Sequence, residues 1–176
     1  MKKVVITGPE STGKSTLTAL LAQHFSSLWV PEYAREYLRE NGKDYDQSDL
    51  LKIAEGQLRL EDEMTERSVS NGNDFLFVDT DMYVMKVWSE FVFGKCDPFI
   101  LQQIAGRKYD LYLLCNIDLP WVEDELREHP KVETRRELFE IYKDLMVHQS
   151  TPWRVIEGDY SARVNLGIQA VKEIML

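Results

Sequence analysis

The sequence has few cysteines and histidines, and it contains no long apolar segment. Its two cysteines, Cys96 and Cys115, fit no zinc-binding spacing, and its three histidines are scattered. This usage is typical of reduced thiols in the core of a cytosolic protein. No stretch approaches the ~20 apolar residues that a membrane helix needs, and the N-terminus lacks the apolar core of a signal peptide. We therefore expect a cytoplasmic protein with no membrane partner.

Basic charge is also scarce. The chain carries 30 acidic residues against 21 lysines and arginines, a net charge of −9 over 176 residues. Such a balance disfavours binding to nucleic acid through bulk electrostatics, so an anionic ligand would need a local site. The first 30 residues, with three lysines and one glutamate, are the basic exception. No repeat or flexible linker divides residues 1–176, which predicts a single domain.

Short apolar runs alternate with helical patterns along the chain. The runs that predict buried strands are 4–7, 28–30, 75–78, 111–115 and 153–156. Helices are predicted over 14–25, 32–40, 47–69, 82–93, 98–106, 121–149 in two pieces around His129-Pro130, and from a cap at Ser161 onward. Continuous apolar strands predict a parallel sheet covered on both faces, hence a three-layer α/β domain with five strands and a helical lid at about 117–136. Ligands bind such sheets at the carboxyl ends of the strands.

The segment from Gly8 to Ser15 matches the phosphate-binding pattern G-x-x-x-x-G-K-[ST], directly after a strand and at the start of a helix. The glycines allow a turn whose backbone N–H groups face an anion, and the helix adds the positive end of its dipole. We expect Lys14 to act on the transferred phosphoryl group and Ser15 to bind Mg²⁺. The residues expected to contact ATP here are Gly8, Glu10, Ser11, Thr12, Gly13, Lys14, Ser15 and Thr16.

Carboxylates follow two of the predicted strands. Asp79 ends the third strand, where a phosphate-loop domain places its metal-associated aspartate, and Asp81 lies near enough to share the site. Asp81 could instead cap the helix that begins at Met82. Glu32 and Arg35 follow the second strand, where a carboxylate could accept the proton of a hydroxyl and an arginine could hold an oxygen of the acceptor. The alternative is an exposed ion pair one helical turn apart.

The predicted lid contains three arginines, Arg127, Arg135 and Arg136. A phosphoryl-transfer enzyme needs cations over the transferred group and a cover against water, so we expect at least one of them to reach the phosphates. The alternative is that they pair with acidic neighbours in the same segment, such as Glu123, Glu128 and Glu133.

The chain resembles the ribosylnicotinamide kinase domain of NadR-type NAD-biosynthesis proteins over nearly its whole length. The segments that carry this resemblance are the phosphate loop, Glu32-Tyr-Ala-Arg-Glu-Tyr37, Val78-Asp-Thr-Asp81, and Trp121-Val122 with Asp124 and Leu126-Arg127. The resemblance implies ATP-dependent phosphorylation of nicotinamide riboside. Catalytic roles would fall to Lys14, Glu32, Asp79, Asp81 and Arg127. The acceptor would contact Glu32, Tyr33, Arg35, Asp81 and Trp121, and the nucleotide would also contact Arg135, Arg136, Asp159 and Tyr160.

Two departures from the family pattern bear on this expectation. The phosphate loop begins at Gly8, so we expect neither the adenylyl transfer nor the operator binding of NadR proteins from these residues. The resemblance also implies an aromatic sandwich around nicotinamide, and this chain has Pro31 and Glu63 at the two positions. Possible aromatic replacements are Tyr33, Tyr37, Tyr83 and Trp88.

Other function classes remain open beside this one. They are a kinase for another nucleoside or a vitamin-like alcohol, and a regulatory ATPase without a small-molecule acceptor. A GTPase is disfavoured, because Asp79-Thr-Asp-Met82 replaces Asp-x-x-Gly and Asn116-Ile-Asp118 replaces Asn-Lys-x-Asp.

Overall fold

The computed structural model describes residues 1–175. Within them, a parallel sheet of five strands has the order β2-β3-β1-β4-β5. The strands are β1 Lys2–Thr7, β2 Leu28–Val30, β3 Phe75–Asp79, β4 Leu111–Cys115 and β5 Trp153–Ile156. The helices are α1 Lys14–His24, α2 Tyr33–Asn41, α3 Gln47–Ser70, α4 Met82–Phe93, α5 Pro98–Gly106, α6 Val132–His148 and α7 Tyr160–Glu173. The predicted α/β fold class is confirmed. None of the helices in residues 1–175 combines the length and apolarity needed to cross a membrane.

The sheet is buried on both faces because its strands are apolar at successive positions. Val4 and Ile6 of β1 face a core shared with α1 and α7, whereas Val5 between them faces the opposite core, which includes residues of α6. This alternation follows the pleat of a strand. A third apolar cluster joins α2, α3, α4 and α5 beside the sheet.

The strand register brings the predicted site residues to one edge of the sheet. Ile6 near the end of β1 pairs with Asp79, and Val30 at the end of β2 pairs with Val78. The phosphate loop after β1, the carboxylate that ends β3 and Glu32 after β2 therefore lie side by side. This is the carboxyl edge at which parallel α/β sheets bind ligands.

The lid differs from the prediction, because residues 121–131 form an irregular loop instead of a helix. Pro120 and Pro130 bracket the segment, and most of its bonded backbone N–H groups donate to side chains, while Arg127 N makes a single turn bond to the Asp124 carbonyl at 3.1 Å. Val122 N donates to the Ser11 hydroxyl at 3.0 Å, and Leu126 N donates to the Asp124 carboxylate at 3.0 Å. Side-chain acceptors thus replace the helical pattern that the sequence predicted.

The start of the last helix also differs from the prediction. Asp159, rather than Ser161, is the N-cap, and its carboxylate accepts the N–H of Ala162 at 2.8 Å. Both residue types cap helices well, so composition alone does not choose between them.

Candidate active site

The phosphate loop has the strained backbone that its glycines predict. Gly8 has a φ of 128°, and a Cβ there would lie 2.7 Å from the carbonyl oxygen of Cys115 on β4. Gly13, with a φ of 78°, is the N-cap of α1. Lys14 begins that helix, and its Nζ donates to the Pro9 carbonyl across the loop at 2.8 Å. The loop therefore closes into a ring around the space that a phosphate would fill.

Two buried arginines support the loop from behind. Arg163 of α7 donates to the carbonyls of Thr12 and Asn116, each at 3.0 Å, and also pairs with Asp118. Arg135 of α6 donates to the Ser11 carbonyl at 3.1 Å. Arg163 could not be predicted from the sequence, since nothing local to α7 indicates a partner about 150 residues away.

Asp79 has the surroundings expected of a metal ligand. The side chain is 2% exposed, and its Oδ1 has no hydrogen-bond partner within residues 1–175. Burial, followed by the negative charge of Glu32, raises the pKa of Asp79 to about 6, while Lys14 and the Ser15 hydroxyl act in the opposite direction. An unpartnered carboxylate oxygen beside a serine hydroxyl is a donor set that suits Mg²⁺.

Asp81 is as deeply buried as Asp79, and neither of the two aspartates belongs to the cavity wall. The Asp81 Oδ2 accepts a hydrogen bond from the Tyr112 hydroxyl at 3.0 Å, and burial raises the pKa of Asp81 to about 7. It occupies the N-cap position of α4, but within residues 1–175 its side chain makes no capping hydrogen bond. The catalytic role of Asp81 stays a prediction, since its carboxylate is engaged by Tyr112, whereas the charged groups that act on Asp79 are Glu32, Lys14 and Arg35.

One cavity of about 220 Å³ joins the phosphate loop to the acceptor side. Glu32 and Arg35 lie on this side, 3.5 Å apart, and Arg35 also binds Asp124 of the lid at 3.1 Å. Beside the lid residues, which include Arg127, Glu128 and His129, the wall on this side is mainly apolar and aromatic. Its apolar and aromatic residues include Ala34, Leu38, Val84, Val87, Trp88, Phe91, Leu126, Leu138 and Tyr142.

The aromatic residues that line the cavity differ in part from those predicted to contact the acceptor. Trp88 lines the cavity, and Phe91 and Tyr142, which the sequence analysis missed, join it. Burial raises the pKa of Tyr142, so its hydroxyl stays a proton donor. Glu63, which stands at the position of the second sandwich aromatic, lies on an outer depression between α3 and α5.

Other residues predicted to contact the acceptor pack against neighbouring side chains and do not line the cavity. Tyr33 packs against α3 and is absent from the cavity wall, as are Tyr37 and Tyr83. The centre of the Trp121 ring lies 5.9 Å from the guanidinium of Arg127 in the lid and 5.5 Å from that of Arg135 on α6.

Only some of the predicted phosphate-binding arginines, and of the predicted nucleotide-binding residues near α7, line the cavity. Arg127 lines the cavity, whereas Arg136 is exposed on α6 and lies away from it. Tyr160 lines the cavity, while Asp159 is occupied in capping α7. Arg127 is therefore the lid cation best placed to reach a phosphate.

Glu10 of the phosphate loop points at the lid. Its carboxylate accepts the backbone N–H groups of Glu128, at 3.1 Å, and of His129. On the other side of that turn, the Tyr45 hydroxyl donates to the Glu128 carboxylate at 2.8 Å and accepts the indole N–H of Trp88 at 2.8 Å. The lid turn is thus held between the phosphate loop and the aromatic wall.

These features define a phosphate-loop domain, and the comparisons agree. The family model described as "AAA domain" matches residues 3–163, and the chain belongs to that family. The NadR proteins of Escherichia coli and Salmonella typhimurium, called trifunctional NAD biosynthesis/regulator proteins, are each 31% identical to it over 180 residues. The match covers 99% of the chain and 43% of each NadR protein, so the chain spans less than half the length of the curated relatives it matches. The predicted resemblance is confirmed.

Solved structures show the same likeness. A crystal structure of NadR protein in complex with NR has a TM-score of 0.77 and 26% identity, over 98% of this chain and 51% of the other. A thymidylate kinase from Ehrlichia chaffeensis has a TM-score of 0.70 at 15% identity, over 99% and 98% of the two chains. The second likeness shows the fold alone.

Proposed function

We propose that the chain is an ATP-dependent kinase that phosphorylates a ribosyl hydroxyl, with nicotinamide riboside as the acceptor. The observation that carries this proposal is that the phosphate loop and the Glu32–Arg35 pair line one continuous cavity. A bare ATPase needs no acceptor pocket beside its phosphate loop. The similarity to a NadR protein solved with NR supports the choice of riboside.

The residues divide the reaction between them. The loop N–H groups and Lys14 hold the β- and γ-phosphates, which requires Lys14 to leave the Pro9 carbonyl. Glu32 accepts a hydrogen bond from the acceptor hydroxyl and takes its proton as the oxygen attacks the γ-phosphorus, and the bond from that phosphorus to the β,γ-bridging oxygen breaks to release ADP. Arg127 places positive charge over the transferred group, and the lid keeps water out.

Ser15 and Asp79 are the residues that would hold Mg²⁺. When bound, the ion would offset charge on the β- and γ-phosphate oxygens. Among residues 1–175 no three His, Cys, Asp or Glu side chains form a metal-binding group. The remaining ligands would therefore be phosphate oxygens and water, as is usual for Mg²⁺ in nucleotide sites.

One observation favours a second acceptor class, which is a different nucleoside. The aromatic wall is built from Trp88 and Phe91 of α4 and Tyr142 of α6, whereas position 31 beside Glu32 is a proline. A base bound against this wall would stack differently from one held by an aromatic residue at position 31. Phosphoryl transfer from ATP would be the same reaction for either acceptor.

The deciding experiment is ADP release from ATP with and without a panel of nucleosides that includes nicotinamide riboside. Turnover that requires an acceptor supports the kinase, and turnover independent of any acceptor would sink it. Glu32→Gln should lower kcat about a hundredfold, as expected for loss of a positioned base, with little change in the KM for ATP. Arg35→Ala should raise the KM for the acceptor more than that for ATP. If the two residues were only an exposed ion pair, both variants would be nearly silent.

We further propose that residues 1–176 act as one domain in the cytoplasm, without nucleic acid. The shared sheet, the free Cys96 and Cys115, and the net charge of −9 support these statements.

A further inference from the structure

Gln57 lies on α3, outside the cavity wall, yet its amide bonds the segment that carries Glu32. The side chain is 1% exposed. Its Oε1 accepts the backbone N–H of Tyr33 at 2.7 Å, and its Nε2 donates to the Pro31 carbonyl at 3.2 Å. The two hydrogen bonds therefore hold the residues on either side of Glu32.

The same amide reaches the end of β3. Its Nε2 lies 3.5 Å from the carbonyl oxygen of Asp79, at the long limit of a hydrogen bond. A single buried side chain thus contacts the backbone beside both carboxylates of the site.

The neighbouring residue on α3 supports the same segment independently. A Cβ on Gly56 would lie 2.0 Å from Cε1 of Tyr33, so the tyrosine ring packs directly on the helix at that point. Gly56 and Gln57 together form a seat for residues 31–33.

Glu32 depends on this seat because its own side chain is weakly held. It is the N-cap of α2, with φ −70° and ψ 109°, and within residues 1–175 it makes no capping hydrogen bond. Its contact with Arg35 is long, at 3.5 Å, and both side chains are partly exposed. The direction of the carboxylate is therefore set chiefly by the backbone, which Gln57 fixes. A displacement of 1 Å in such a group can lower a rate about a hundredfold.

We propose that Gln57 is a positioning residue that holds Glu32 in place to accept the proton of the acceptor hydroxyl. This inference rests on the proposed kinase function. It adds a residue that never touches the substrate but controls the geometry of one that does.

The first test is Gln57→Met, which keeps the volume and removes both hydrogen bonds. We expect kcat to fall about tenfold, with the KM for ATP unchanged. The matched control is Leu58→Ala, a buried α3 position in the adjacent apolar cluster. That variant should lower the Tm and leave kcat within twofold. A folded Gln57→Met protein with wild-type kcat overturns the inference.

A second variant gives a readout that a purely structural residue would not move. In Gln57→Glu, the buried carboxyl can donate to Pro31 only when it is protonated, and burial raises its pKa. Its kcat relative to wild type should therefore rise as the pH falls, whereas the same ratio for Gln57→Met should stay constant. A constant ratio for both variants contradicts the inference.

Gly56→Ala alters the seat for residues 31–33 and leaves Gln57 unchanged. It tests the positioning of Glu32 if the Gln57 variants do not fold. A Cβ at position 56 would overlap the half-buried Tyr33 ring, so the ring must shift away from α3, and we expect a folded protein with reduced kcat. Unchanged kcat in this variant would count against the seat.

A double-mutant cycle separates this inference from the proposed function. If Gln57 acts through Glu32, Gln57→Met should lower kcat no further in a Glu32→Gln protein. Fully multiplicative losses would overturn the positioning role. If Glu32→Gln is itself silent, the proposed function fails first. If Glu32→Gln is slow but Gln57→Met is not, only the inference about Gln57 fails.

Discussion

Lys14 is the side chain on which phosphoryl transfer depends most directly. We expect Lys14→Ala to abolish transfer and keep the fold, because the lysine neutralises charge on the moving group while its structural contact is a single bond to Pro9. Kinetics and circular dichroism check this. The exposed Lys172→Ala serves as the control, and a well-folded Lys14→Ala protein with near wild-type turnover would contradict the assignment.

Asp79 should reduce the stability of the ligand-free protein. Its folded-state pKa of about 6 lies above the ordinary 3.8. The folded state thus holds the proton more tightly, and its stability falls as the pH rises from about 4 to 6. We expect Asp79→Asn to raise the Tm at pH 8, to have little effect near pH 4, and to abolish most Mg²⁺-dependent activity.

Thermal melts at both pH values, with the exposed Asp144→Asn as control, and a Mg²⁺ titration of activity check this expectation. Equal Tm values for the wild type and Asp79→Asn at pH 8 would show that the buried Asp79 charge does not destabilise the folded protein. Wild-type activity across the titration would remove Asp79 from the metal site.

At the residue scale, the sequence predicts contacts that are local in the chain and misses those that are distant. Gly8, Gly13 and Lys14 follow from one motif, whose spacing dictates the backbone. Gln57 bonds residues 24 and 26 positions away, and Arg163 bonds Thr12 across 151 positions. No periodicity or spacing encodes such pairs, because they exist only once the sheet has formed.

The lid shows the same limit at the scale of elements. Its arginines and its place after β4 are evident from the sequence, but its irregular conformation depends on acceptors supplied by other elements, chiefly Glu10 and Ser11. Strands and the long helices were predicted well, since apolar runs and helical stripes are properties of the segment itself.

Glu10 should hold the lid against the phosphate loop. We expect Glu10→Ala to speed hydrogen exchange of the Glu128 and His129 amides by about tenfold, as for the loss of roughly one net hydrogen bond, and to lower kcat severalfold. The exposed Glu137→Ala is the matched control. Unchanged exchange at both amides would show that the lid is held by other contacts.

At the scale of the whole molecule, the parallel sheet brings together candidate site residues from segments that are far apart in the chain. The phosphate loop, Glu32 and Asp79 follow three adjacent strands, so their grouping could be predicted once a parallel sheet was inferred. The acceptor wall could not, since Trp88, Phe91 and Tyr142 come from helices α4 and α6, whose packing angles no motif records.

The continuous cavity predicts that nucleotide and acceptor bind together. A non-hydrolysable ATP analogue and nicotinamide riboside should each raise the Tm, and both together should raise it by at least the sum, because each ligand stabilises the same folded state. Trp88→Ala should abolish the shift caused by the riboside and keep the shift caused by the analogue. Trp29→Ala, an exposed tryptophan on the edge strand β2, should keep both. A riboside shift that survives in Trp88→Ala would place the acceptor elsewhere, while a shift absent from the wild type but present with another nucleoside would reassign the substrate and leave the shared site intact.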